Sequence, residues 1–227
     1  MNVASTIQDP MRLNVLRSLL LLDSPAEVAF DRFTQIASKL IDAPVSLISL
    51  IDVDRQFFKS LVGLPEPWAS ERETPLSHSF CQYVVASGTP LVVEDARKVD
   101  YLKDNLAIRD LNVIAYLGIP LATSEGVLLG SFCVIDDMPR VWTEREIEIL
   151  RELALSVMTE IELRAQLFAR AKLEAELAEG QERLRRLNKF SSTTLEEMAN
   201  ALQQGTNLHE LEVYVREARS KFTRLMK

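Results

Sequence analysis

Cysteine and histidine are scarce in this chain of 227 residues, which has two of each, and the scarcity narrows its chemistry. Disulfide frameworks belong to short secreted chains with more cysteines, and Cys81 and Cys133 both lie inside apolar patterns, so a reducing compartment is expected. A tetrahedral metal site takes four ligands, three of them from protein when catalytic, and His78 with Cys81 falls short of that, so no metal is expected. Basic residues are outnumbered: 26 Lys and Arg against 33 Asp and Glu give a net charge of −7. A general nucleic-acid or anionic-membrane binder would carry the opposite sign. The N-terminus has no basic stretch followed by an apolar one, and no window approaches the roughly 18 apolar residues of a spanning helix. There is no internal repeat or low-complexity segment. The expectation is a cytoplasmic protein that binds neither nucleic acid nor membrane.

The chain does have a central apolar stretch, VIAYLGIPLATSEGVLLGSFCVID, from Val113 to Asp136. Two strand-length runs flank Ser124, Glu125 and Gly126, the composition of a hairpin turn. Strict alternation places Val127, Leu129, Ser131, Cys133 and Ile135 on one face and Leu128, Gly130, Phe132 and Val134 on the other. Neither face is polar enough for water, so helices must cover one and more chain or a ligand the other.

Upstream, Pro10 to Leu22 reads as a helix with Leu13, Leu16 and Leu20 at helical spacing and Val15, Leu19 and Leu22 widening the stripe beyond one core face. Ser24, Pro25 and Glu27 read as a capping box opening a helix to Ile41 that buries Val28, Phe33, Ile36 and Leu40. Val45 to Asp52 and Gln56 to Val62 form an antiparallel pair, and Gly63 to Pro75, with three prolines and Trp68, an ordered loop. A helix from Ser79 to Ala86, capped by Ser77 and ended by Gly88, precedes a short strand at Leu91 to Glu94. Asp95 to Asn112 suits one or two short helices laid over a sheet.

Thr143 and Glu146 form a capping box before a helix free of Pro and Gly until Gly180. Run to Lys189, it would be roughly 70 Å long, beyond the diameter of the domain it leaves. One heptad frame places Ile149, Leu153, Leu163, Leu167, Leu177 and Leu184 at core positions, interrupted by polar residues, the pattern of an imperfect dimeric coiled coil. In the tail, Thr194 with Glu197 caps a segment burying Leu195, Met198 and Leu202, and Leu208 to Leu225 makes a longer stripe, together a helical hairpin.

The runs PLSHSFCQYVV, PLVVEDAR, AYLGIPL, GVLLGSFCVID and PRVWTEREIEILRELA, in this order and spacing, resemble a GAF domain of the kind found N-terminal to bacterial histidine kinases, diguanylate cyclases and phosphatases. The resemblance covers about Ala26 to Arg164. It implies an α+β, PAS-like fold: a central antiparallel sheet, terminal helices on one face that often dimerise as a bundle, and a small-molecule pocket on the other. The organisation expected is an N-terminal dimerisation helix over 1–24, the GAF domain over 25–164, a coiled-coil signalling helix over 165–190 and a helical hairpin over 191–227. In this fold the segment between the first strand pair and the hairpin covers the ligand. The candidate ligand-binding residues are therefore Phe80, Cys81, Tyr83, Asp95, Arg97, Tyr101, Asn105 and Arg109, with Tyr116, Ser131 and Cys133 from strands. Either face of the Cys81 helix can look inward, and the same aromatics could simply complete the core.

Other chemistries are weighed against bland readings. His78 lies three residues from Cys81 and could share a helix face with it, but a buried thiol and a surface histidine explain both. Bilin attachment, known in phytochrome-like members, expects a Cys-His pair, whereas Gln82 follows Cys81. Cyclic-nucleotide binding finds no phosphate-cradling loop, since Gly118, Gly126 and Gly130 are strand and turn glycines. His209 with Glu210 resembles a kinase phosphoacceptor pair without its usual continuation, and the basic cluster around Arg185 is interleaved with Glu179 and Glu182 as on a solvated coil. The expected function is a non-enzymatic regulatory protein of bacterial type, signalling as a homodimer through its terminal helices to a partner protein when a small molecule binds. The competing classes are a cysteine-dependent reductase, since free methionine sulfoxide reductases share this fold, and a ligand-free dimerisation scaffold. The sequence assigns no cofactor.

Overall fold

The structure is a computed structural model that describes residues 3–205 and 207–225. These form two compact units, 1–165 and 166–227. The first contains helices α1 (Val3–Ile7), α2 (Pro10–Ser18) and α3 (Val28–Ile41), strands β1 (Val45–Ile51) and β2 (Arg55–Val62), a one-turn helix α4 (Trp68–Glu71) and strand β3 (Glu73–Pro75). A 3₁₀ turn at Leu76–His78, helix α5 (Cys81–Ser87), strand β4 (Leu91–Val93), a second 3₁₀ turn at Ala96–Lys98 and helix α6 (Leu106–Asp110) follow. Strands β5 (Ala115–Ala122) and β6 (Leu128–Asp136) lead into helix α7 (Glu144–Gln203), and α8 (Leu208–Leu225) closes the chain.

The six strands make one antiparallel sheet in the order β3-β2-β1-β6-β5-β4, so the hairpin β5–β6 joins the first pair through β1. Both faces are covered by the chain itself. Leu16, Phe30, Ala37, Phe132, Val134, Leu150 and Val157 pack one core, and Ile7, Phe58, Phe80, Val84, Leu102, Tyr116 and Cys133 pack the other. Arg12 is buried and donates from Nη2 to Ile7 O at 2.6 Å and from Nη1 to Ile51 O at 2.8 Å, so it hydrogen-bonds the ends of α1 and β1.

The hairpin does not alternate strictly. Leu121 faces Gly130 and Ala122 faces Leu128, leaving Leu129 as an extra residue on β6. A bulge puts consecutive residues on one face, so Leu129 joins Phe132 and Val134, and Leu128 packs with the Cys133 side, the reverse of the alternation expected for those two. The close approach at the bulge requires a glycine next to it. A Cβ at Gly130 would stand 1.8 Å from the Ser49 carbonyl oxygen. A second bulge falls at Lys59, where Ile48 faces Ser60 and Ser49 faces Phe58.

Several helix expectations are corrected. The helix of Pro10 stops at Ser18 because Leu20 takes a left-handed conformation, φ 53°. Ser24 does not cap α3: its hydroxyl donates to Leu21 O at 2.7 Å, and the helix starts at Val28. The face of α3 that packs is Phe30, Thr34, Ala37 and Ile41, while Val28, Ile36 and Leu40 are exposed, because the hydroxyl of Thr34 finds Ser60 on β2 at 2.8 Å and turns that side inward. Ser79, not Ser77, serves the start of α5 by accepting the N–H of Gln82 at 3.1 Å. The Thr143–Glu146 box is formed in both directions.

Helix α7 buries Leu150, Ala154, Val157, Met158 and Ile161 in the first unit, so Ile149 and Leu153 are half-buried against the same core while Leu163, Leu167, Leu177 and Leu184 are exposed. It continues through Gly180 and Thr194 to Gln203, and no cap interrupts it at Thr194, whose hydroxyl donates back to Phe190 O at 2.8 Å. In the second unit α8 packs beside the end of α7, with Phe190 and Phe222 ring centroids 6.3 Å apart and a shallow groove of about 410 Å³ bordered by Thr194, Leu195, Met198 and Val215. Met1, Asn2, Thr206, Met226 and Lys227 lie outside the described residues, and so do the side chains of Leu208 and Leu225, two ends of the expected tail stripe. Among the described residues, no helix is long and apolar enough to cross a membrane.

Candidate functional site

The candidate site lies on the sheet face covered by α5 and α6. Pairing places Ser49 opposite Ser131, and Cys133 between Leu47 and Gly118, so hydroxyl, thiol and glycine positions share one face of β1, β6 and β5. Gly118 leaves room for the Tyr116 ring, since a Cβ there would meet the Tyr116 hydroxyl oxygen at 2.3 Å. That hydroxyl lies 3.3 Å from Cys81 Sγ and 3.2 Å from Ser131 Oγ, and the two sulfurs are 3.9 Å apart. All of these side chains are buried, and both cysteines are free. Burial pushes both thiols and the phenol up. At Cys81, donation from Cys133 and Tyr116 overcomes burial and brings the pKa below its ordinary value, while Cys133 and Tyr116 are held well above theirs.

Beside this cluster is a cavity of about 20 Å³, the room of one water, bordered by Gln56, Phe58, His78, Phe80, Cys81 and Tyr116. Ser79 Oγ donates to Gln56 Oε1 at 2.7 Å, fixing the amide over the cavity. His78 Nε2 is 3.0 Å from Asp110 Oδ2 and Nδ1 is 3.0 Å from Ser77 Oγ, so both ring nitrogens have partners other than Cys81. Asn105 caps α6 through Ala107 N at 3.0 Å and donates to Ser79 O at 3.2 Å, joining α6 to the start of α5. Among the described residues, no group of three His, Cys, Asp or Glu is placed to hold a metal.

Of the residues expected to bind a ligand, Phe80, Cys81 and Tyr116 border the cavity and Ser131 and Cys133 lie in the cluster next to it. The others are elsewhere. Tyr83 is half-buried and packs edge-on against the exposed Tyr101, ring centroids 5.3 Å apart. Arg97 is exposed and clamps Asp95 from Nε at 2.8 Å and Nη2 at 2.9 Å, and Asp95 borders a separate surface groove with Arg140 and Val141. Arg109 is exposed and pairs with its neighbour Asp110 at 2.6 Å. These arginines point to water because each has an acidic partner on its own turn. Gln56 and His78 were missed as cavity residues. A signal for Gln56 existed: it alternates with Phe58 on a strand whose inward positions are otherwise apolar.

The clamps at Asp95 and Asp110 bring each carboxyl down to about 2, mainly through the hydrogen bonds from Arg97 and Arg109 respectively. A depressed carboxyl contributes stability that is present above its unfolded pKa and is lost as pH falls through the folded one. Midpoints of chemical denaturation are therefore expected to fall between about pH 4 and pH 2, and carbon NMR titration should place both carboxyls near 2. Midpoints near the ordinary aspartate value would show that the clamps do not persist in solution.

On the opposite face, the Lys59 bulge aims a wholly buried ammonium at the linker between α2 and α3. Its Nζ donates to Ser24 Oγ at 2.7 Å and Pro25 O at 2.9 Å and pairs with Glu27 Oε1. Glu27 also accepts from Arg164 Nε on α7 at 3.1 Å, and Arg164 Nη1 donates to Leu19 O at 2.9 Å. Burial lowers the Lys59 pKa against the pull of Glu27, while the two cations hold Glu27 below the usual carboxylate range despite its burial. Strand β2, which supplies Gln56 and Phe58 to the cavity, is thus joined through one carboxylate to α7.

A two-sided core on an antiparallel sheet, with a cavity under the α5–α6 segment, defines an α+β domain of the PAS-like kind. The GAF domain family model matches residues 25–161, and the chain belongs to that family. It is 36% identical over 143 residues to a cyclic di-GMP phosphodiesterase of Pseudomonas aeruginosa, a match that covers 62% of this chain and 24% of that protein. The chain thus spans about a quarter of the length of that relative. Among solved structures, the GAF domain of an Acinetobacter phosphoenolpyruvate-protein phosphotransferase superposes with a TM-score of 0.51 at 17% identity, covering 71% of this chain and 99% of that one. A domain of a Sinorhizobium meliloti protein described as a two-component sensor histidine kinase gives a TM-score of 0.51 at 20% identity over 63% of this chain and 94% of that one. Both likenesses concern the fold.

Proposed function

We propose that this chain is a regulatory GAF module that works without catalysis of its own, as a homodimer joined by its terminal helices, and passes a small-molecule signal to a partner protein. The observation that carries the reading is the Lys59–Glu27–Arg164 cluster, which connects the strand under the cavity to the long helix. A ligand that spreads β2 from the α5–α6 segment changes the position of Lys59, and the shared carboxylate moves with it. Such coupling needs the ligand to bind one arrangement more tightly than the other. The likeness to a protein named as a cyclic di-GMP phosphodiesterase supports a place in nucleotide signalling, and it extends to a quarter of that protein. The dimer reading rests on Leu163, Leu167, Leu177 and Leu184, exposed at heptad positions of α7, and on Leu20, exposed beyond α2.

The small cavity favours a second reading, a ligand-free dimerisation scaffold, since about 20 Å³ holds nothing larger than water until the segment moves. One measurement separates them. Native mass spectrometry of freshly purified full chain should give a dimer that carries a small molecule, released on denaturation. A bare dimer whose melting temperature is unchanged by cyclic nucleotides or a metabolite extract would establish the scaffold, and a monomer at micromolar concentration would overturn both.

A further inference from the structure

The chain contains two cysteines, Cys81 and Cys133, and the fold brings them together from α5 and β6 to 3.9 Å between sulfurs. Packing accounts for two buried thiols but not for what surrounds them. A core position normally gathers apolar neighbours, because each buried hydroxyl costs free energy unless it is hydrogen-bonded. Here the Tyr116 hydroxyl donates to Cys81 Sγ and meets Ser131 Oγ, and Ser49 Oγ is buried on the strand next to Ser131. The water-sized cavity ends on Cys81 and Tyr116, and its outer wall includes the partly exposed His78. The lining is mostly apolar, with Gln56, His78, Cys81 and Tyr116 as its polar edge, so a small polar molecule there would meet the Cys81 thiol.

We propose that Cys81 and Cys133 form a reversible disulfide when hydrogen peroxide, which is larger than water, reaches Cys81 as the α5–α6 segment moves off the cavity. Cys81 loses its proton, and its sulfur attacks one peroxide oxygen. The O–O bond breaks, Cys81 is oxidised to the sulfenic acid, and the departing hydroxide takes up the released proton as water. The Cys133 sulfur then attacks the Cys81 sulfur, the S–O bond breaks, and the hydroxyl leaves as a second water with the Cys133 proton. Two thiols and one peroxide give one disulfide and two waters, and a dithiol reductant reverses the change. The Tyr116 hydroxyl hydrogen-bonds the attacking sulfur and steadies its ionised form.

Bonded sulfurs stand about 2.05 Å apart, so the pair must close by about 2 Å. Cys133 is held by ladders to β1 and β5 on both sides, and Cys81 is the first residue of α5 after an irregular stretch, so α5 is the part that moves. The bond would tie the cavity's α5 border, which includes Phe80, to the middle of the sheet. This holds whether or not the cavity takes a ligand.

The test treats the full chain with a small excess of hydrogen peroxide, denatures it, blocks free thiols with N-ethylmaleimide and records the intact mass. The expected product is a monomeric polypeptide lighter by two hydrogen atoms, carrying no maleimide, and regaining two maleimides after dithiothreitol. Because there are no other cysteines, such a product has one possible connectivity. The C133A variant should carry oxygen on Cys81, trapped by dimedone, and the C81A variant should keep its maleimide and react more slowly by at least tenfold. Two maleimides on the treated wild type, over-oxidation to sulfinic acid without a disulfide, or a disulfide between two chains would each overturn the proposal.

Discussion

Replacing Glu27 with alanine is expected to destabilise the protein by about 3 kcal/mol, the low end of the range of about 3–5 kcal/mol for removing one partner of a buried ion pair, because Lys59 is wholly buried but the Glu27 side chain is 32% exposed. The Lys59 side chain has no exposed surface, so it cannot recover water when the carboxylate goes. It keeps Ser24 Oγ and Pro25 O as acceptors, which places the expected loss toward the lower end of that range. Glu27→Gln retains an acceptor oxygen and should cost less. Glu27→Gln combined with Lys59→Met removes the buried charge altogether and should recover part of the loss, so the double-mutant cycle isolates the pair. Urea denaturation of the full chain checks this, with amide exchange around Arg164 as a second readout, because Glu27 also holds that residue on α7. A loss below 1 kcal/mol for Glu27→Ala would mean that Lys59 finds another anion or sheds its proton at no cost.

The second large effect is expected at Phe80, which is 3% exposed and meets the Tyr116 ring with centroids 5.4 Å apart. Truncating a buried phenylalanine to alanine costs about 3–5 kcal/mol through lost transfer energy and the cavity left behind. The sequence placed both Phe80 and Arg109 among the candidate ligand-binding residues. The structure separates the two residues. Arg109 is exposed and paired to Asp110 on its own turn, so Arg109→Ala should leave the melting temperature nearly unchanged. Calorimetry on the two variants reads the difference. Equal and small effects would show that the layer containing Phe80 is mobile enough to refill the space, which would favour a pocket that opens.

Composition and periodicity carried the strands well, since period-two apolar runs with turn residues between them have few other interpretations. They carried the boxed start of α7 for the same reason: Thr143 and Glu146 satisfy each other locally, without help from the rest of the fold. Ser24 and Thr194 carry the same motif and do not cap. Ser24 is taken by the Leu21 carbonyl and the Lys59 ammonium, and Thr194 stands inside a helix that α8 packs against. The cavity was half legible. Ser131 and Cys133, next to it, share a face by alternation on the second strand of the hairpin, and Phe80, Cys81 and Tyr116 came with the family resemblance, whereas Arg97, Tyr101 and Arg109 share the covering segment but turn outward, and loop direction leaves no periodic trace.

By itself, the sequence determined the antiparallel sheet with two apolar faces, the helical termini and the family, because these follow from local patterns and from motifs in fixed order. Only the tertiary structure decided which side of α3 packs, where the sheet bulges at Lys59 and Leu129, and that two cysteines more than fifty residues apart in the chain meet at 3.9 Å. Those outcomes depend on how strands shift register and on which buried polar group finds a partner, and both are settled by the whole packed domain.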